Sequence, residues 1–97
     1  MVGGNSMAGS NLSQKLSDRR RKIDLVDREL LPLLNQRLRI ALGCGKIKKE
    51  MGKNIYDPQR EAEVLKRLRM KNRGPLKEED LEKIFRAIIR VCRRSQK

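Results

Sequence analysis

The sequence predicts an all-α fold of three helices, one long, one short and one of medium length, forming an intertwined homodimer. Three observations lead there. Apolar residues recur at spacings of three and four in three stretches separated by Gly- or Pro-containing breaks, and no stretch alternates with period two. A chain of 97 residues is one domain, and a domain this small buries only about 60–65% of its unfolded surface. Its aromatic content is two residues, Tyr56 and Phe85, with no Trp. The core must therefore come from Leu, Ile, Val, Ala and Met, with a second chain making up the shortage.

Residues 1–11, MVGGNSMAGSN, are rich in Gly, Ser and Asn and lack the apolar stretch of a signal peptide. They read as a flexible leader, or a remnant of expression, ahead of a folded domain at 12–97. From about Leu12 to Met51, Leu16, Ile23, Val26, Leu30, Leu33, Leu34, Ala41, Leu42 and Ile47 form the stripe of one long amphipathic helix. Forty residues at about 1.5 Å each run roughly 60 Å, longer than a small globule is wide, so this helix needs company along its length. Pro32 interrupts the pattern at a cost of about 3 kcal/mol and Gly43 adds a smaller one. Because the stripe resumes in phase, a kink near residues 28–32 is expected rather than a break.

Gly52 ends the first helix. Asp57 then caps a second with Pro58 at its first position, and Val64, Leu65, Leu68 and Met70 carry it to about Lys71. The run Asn72-Arg73-Gly74-Pro75 stops it, with Gly74 expected as a left-handed cap. Glu78, Glu79 and Asp80 complement the dipole at the start of a third helix. Its stripe of Leu81, Ile84, Phe85, Ile88, Ile89 and Cys92 reaches Gln96.

Charge is the strongest compositional signal: 25 Lys and Arg against 12 Asp and Glu, a net +13. Such a surface draws in anions of any size. With no His, the commonest general base and metal ligand is missing. Cys44 and Cys92 have neither a metal-type spacing nor a pairing pattern, which fits two reduced thiols in a cytoplasmic protein. No apolar run is long enough to span a membrane. A basic helical nucleic-acid-binding protein is the rival that charge alone supports, through clusters such as Arg19-Arg20-Arg21-Lys22. The scarcity of stacking aromatics and the lack of a nucleic-acid motif argue against it.

Arg37 and Lys48 are about three helical turns apart and share nearly one azimuth beside the apolar stripe. They either snorkel from the core edge or project into a pocket and grip a ligand between them. Arg20 lies on another azimuth, some 25 Å from Arg37 along the helix, so both cannot hold one small ligand within one chain. Asp57, Arg60 and Glu61 share the first turn of the second helix, where capping and solvation compete with a functional reading. Cys92 and Gln96 are i and i+4 on the third stripe; a Gln on a buried face needs partners, and fraying at the helix end is the alternative.

The order of these elements is more specific than any one of them. Ile23-Asp24-x-x-Asp27-x-x-Leu30-Leu31-x-Leu33-Leu34-Asn35-x-Arg37, Gly45-Lys46-Ile47-Lys48, Ile55-Tyr56-Asp57-Pro58-x-Arg60-Glu61, Asn72-x-Gly74-Pro75-Leu76 and Ile84-Phe85-x-x-Ile88-Ile89-x-x-Cys92-x-x-x-Gln96 follow in turn. Together they resemble the all-helical class of chorismate mutases over residues 16–96. The resemblance implies an intertwined dimer with two active sites that rearranges chorismate to prephenate, towards phenylalanine and tyrosine, without a cofactor. It implies that Arg20 acts in the partner's site and that Arg37 pairs with a substrate carboxylate. Lys48 would contact a carboxylate and the ether oxygen, and Gln96 would donate to that oxygen. Asp57 and Glu61 would hold the ring hydroxyl, with Arg60 and Cys92 at further pocket positions; Cys92 stands where a relative has Ser. Pro32 and Gly43 replace ordinary helix formers of the family. Isochorismate-pyruvate lyase, of the same fold and with a similar cationic pocket, is the alternative activity. A free-standing mutase and the mutase domain of a bifunctional enzyme would read alike.

Overall fold

The computed structural model describes the backbone of residues 3–97, with side chains at residue 9 and from residue 11 onward. Three α-helices follow in order: α1 (Gly3–Glu50), α2 (Pro58–Lys71) and α3 (Glu78–Ser95). Among the described residues there is no strand. The chain divides into two units, Met1–Leu33 and Leu34–Lys97.

In the first unit the helix begins at Gly3, inside the segment expected as a leader. That segment contains no Pro, and propagating an existing helix requires only one more hydrogen bond per residue. The apolar stripe of this unit is open: Leu12, Leu16, Ile23, Val26, Leu30 and Leu33 retain between 47% and 65% of their accessible surface. The unit holds a single helix segment, which has no second element of its own to cover that stripe. Helix α1 is unbroken through Pro32, although Pro32 cannot donate to the Arg28 carbonyl.

The second unit contains the end of α1 together with α2 and α3. Leu65 on α2 and Leu81 and Cys92 on α3 are its most buried apolar side chains, and Gly45 is buried on α1. Ion pairs from Arg69 to Glu78 and Glu82 bind α2 to the start of α3. Ile47, Met70 and Ile84, expected on buried stripes, keep about half or more of their surface exposed.

The helix ends follow from local chemistry. At the end of α1, Lys53 N–H donates to the Lys48 carbonyl and Gly52 N–H to the Lys49 carbonyl. With Gly52 at φ +69°, this is a Schellman motif, and the left-handed position requires the residue without a Cβ. Asp57 Oδ1 accepts the Arg60 N–H at 3.0 Å and Pro58 opens α2, as the sequence predicts. The end of α2 differs. Its C-cap is Asn72 in extended conformation, while Gly74 (φ +74°) lies beyond the cap in the connecting loop. Asn72 takes over the closing role: its side chain accepts from Gly74 N–H and donates to the Leu76 carbonyl.

Candidate active site

The second unit forms an open cavity of about 330 Å³, within the range of small-molecule sites. Helix α1 supplies Arg37 and Lys48, the N-terminal turn of α2 supplies Asp57, Arg60 and Glu61, and α3 supplies Cys92, Arg93 and Gln96. Ile40, Ala41, Ile55, Val64 and Ile89 give it apolar walls, and Cys44 also reaches it.

Five of the polar groups are held by local contacts. Lys48 lies in the last turn of α1, and the Schellman turn brings the following loop back so that Lys48 Nζ donates to the Ile55 carbonyl at 2.8 Å. An ammonium carries three donors, so this contact orients Lys48 without exhausting it. Arg37 Nη1 donates to Cys92 Sγ at 3.0 Å, which ties α1 to α3 across the cavity wall. Asp57 spends Oδ1 on the α2 cap. Glu61 Oε1 pairs with Arg93 Nη1, and the Arg93 guanidinium sits 4.6 Å from the centroid of the Tyr56 ring, within cation–π range.

Of the eight residues singled out from the sequence, seven come together at this cavity: Arg37, Lys48, Asp57, Arg60, Glu61, Cys92 and Gln96. Arg20 is exposed on the first unit's helix and does not line it. Gln96 is the C-cap of α3, its backbone N–H returns to the Arg93 and Arg94 carbonyls, and its Oε1 is buried. Arg93 is not among the residues singled out from the sequence. Its signal was present, because Ile89, Cys92, Arg93 and Gln96 are i, i+3, i+4 and i+7 on one helical face.

The charges of the lining can be summed. Arg37, Lys48, Arg60 and Arg93 are cationic and Asp57 and Glu61 anionic, four against two, leaving a surplus of two positive charges. A cavity with apolar walls, a surplus of two positive charges and an amide at one end of an all-helical fold suits a small anion.

Comparison with known proteins makes the class specific. The family model for chorismate mutase type II matches residues 19–97. A bifunctional chorismate mutase/prephenate dehydratase of Neisseria gonorrhoeae is 36% identical over 81 residues, which cover 84% of this chain and 22% of that protein. The chain therefore spans about a fifth of the length of that relative. Among solved structures, chorismate mutase (form II) from Thermus thermophilus superposes with a TM-score of 0.82 at 34% identity, covering 84% of this chain and 93% of the other. Chorismate mutase from Helicobacter pylori, solved in complex with prephenate, gives a TM-score of 0.77 at 40% identity, covering 84% of this chain and 88% of the other. The chain belongs to the chorismate mutase type II family.

Proposed function

We propose that the chain converts chorismate to prephenate and that the cavity of the second unit carries out this rearrangement by electrostatic preorganisation, with Lys48 and Gln96 acting on the ether oxygen and Arg37 on a carboxylate. The observation that supports it is the convergence of Arg37, Lys48 and Gln96 on one cavity with two surplus positive charges. In a Claisen rearrangement one C–O bond breaks as one C–C bond forms, within a single molecule and with no proton to move. The protein has two tasks. It holds the dianion in its compact conformer, a proximity effect, and it aims donors at the oxygen that gains negative charge as its bond breaks.

The unspent hydrogen-bonding capacity fits those tasks. Lys48 has two N–H donors beyond the one on Ile55, and Arg37 has four beyond the one on Cys92. Asp57 and Glu61 each keep a second carboxylate oxygen for the ring hydroxyl. Arg60 and Cys92 complete the wall.

The working unit in this reading is a homodimer in which Arg20 enters the partner's site. The open apolar stripe on the first unit is the kind of surface that marks a protein contact. Chorismate and a second copy of the chain are the partners in this reading. Among the described residues no helix is long and apolar enough to cross a membrane, and two free cysteines suit the cytoplasm.

The reading predicts that Lys48→Ala lowers kcat by about a hundredfold or more. Affinity for prephenate, measured by calorimetry, should weaken by less than about tenfold. Equal losses in both would remove Lys48 from the transition state and leave it a binding residue. Chorismate and isochorismate supplied separately distinguish the lyase: this reading expects prephenate from the first and no pyruvate from the second.

A further inference from the structure

Gln96 reaches the cavity by crossing Gly45. A Cβ built on Gly45 would lie 2.9 Å from Gln96 Cγ, 3.0 Å from its Cβ and 3.4 Å from its Cδ. Carbon atoms in contact prefer about 3.5–4.0 Å, so the stem of Gln96 occupies the space that any larger residue at 45 would need. These atoms are the root of the side chain. Rotating the amide alone does not relieve the contact; χ1 of Gln96 or the end of α3 has to move.

The backbone gives no other reason for glycine there. The positive-φ glycines are Gly52 and Gly74, while Gly45 lies within the α-helix, where Ala is the better helix former. Gly43, on the same helix, meets nothing within 4 Å. Gln96 Oε1 is buried and accepts no hydrogen bond from the described residues, while the stem of the same side chain lies against Gly45.

We infer that Gly45 is a positioning residue: the missing side chain forms the slot that seats Gln96 and sets its amide at the reacting oxygen. The inference rests on the proposed role of Gln96. A shift of about 1 Å in a catalytic group can cost up to a hundredfold in rate.

The test compares the same chemical change at two neighbouring glycines. Gly45→Ala should lower kcat by about tenfold to a hundredfold with KM changed less than about threefold. Gly43→Ala should keep the parent's kcat. In a Gln96→Ala background, Gly45→Ala should change kcat by less than about twofold, because the group it displaces is gone. Full kcat in Gly45→Ala, or an equal loss with and without Gln96, overturns the inference while leaving the role of Gln96 intact. Full kcat in Gln96→Ala overturns that role instead, and the positioning with it. Should Gly45→Ala fail to fold, recovery of folding in the double variant, read by circular dichroism, supports the contact; failure of both contradicts it.

Discussion

At the scale of single residues, the site economises on hydrogen-bonding groups. Asp57 caps α2 with one oxygen and faces the cavity, Lys48 is oriented by the Ile55 carbonyl, and Arg37 is braced on Cys92. Arg93 pairs with Glu61 and lies over the Tyr56 ring. Removing it deletes one of the four cavity cations and leaves Glu61 without its counter-charge. Arg93→Ala should therefore raise KM for chorismate by about tenfold, equivalent to ~1.4 kcal/mol. Arg93→Lys should restore part of the affinity, because it keeps the charge but loses the planar stack. Steady-state kinetics on the two variants check this, and an unchanged KM in Arg93→Ala would make Arg93 a surface residue.

At the scale of elements, α2 and α3 were the most legible. Asp57-Pro58 announced the start of α2, and Glu78, Glu79 and Asp80 sit in the first turn of α3. The seven cavity residues were found through spaced motifs rather than through charge, since 25 basic residues point nowhere in particular. Three features escaped. The cap of α2 is Asn72, because its side chain can bond both Gly74 and Leu76, a fit that only the folded loop defines. The seat of Gln96 on Gly45 joins residues far apart in sequence and has no periodic signature. Arg93 was passed over because a basic residue beside a stripe is usually solvated.

The glycines give this scale its own test. Gly43→Ala adds a methyl group into open space on a helix and should stabilise by about 0.5–1 kcal/mol. Gly74→Ala forces a Cβ into left-handed backbone (φ +74°) and should destabilise by about 1–2 kcal/mol. Thermal melts that move in the same direction for both would contradict the assigned backbone.

At the scale of the whole molecule, few side chains of the single chain are deeply buried. Among the described residues, Leu65, Leu81 and Cys92 are the buried apolar ones, whereas Leu12, Ile23, Val26 and Leu33 on the first unit stay more than half exposed. A second copy laid along that stripe would supply the missing burial, and in the proposed dimer it would also deliver Arg20. Complementation tests the exchange of residues. Arg20→Ala and Lys48→Ala chains should each be nearly inactive alone. Refolded together, half of the dimers are mixed and one site in each has both residues intact, so activity should return to about a quarter of the parent's. No recovery would place Arg20 outside the partner's site.

In the proposed mechanism the cavity between α1, α2 and α3 rearranges chorismate through Arg37 and Lys48. The most direct measurement is the rate of prephenate formation from chorismate by the parent chain and by Arg37→Ala and Lys48→Ala, with folding verified by circular dichroism. Turnover by the parent is expected, with a loss of about a hundredfold or more in kcat/KM for each folded variant. Folded variants that keep the parent's rate would contradict it.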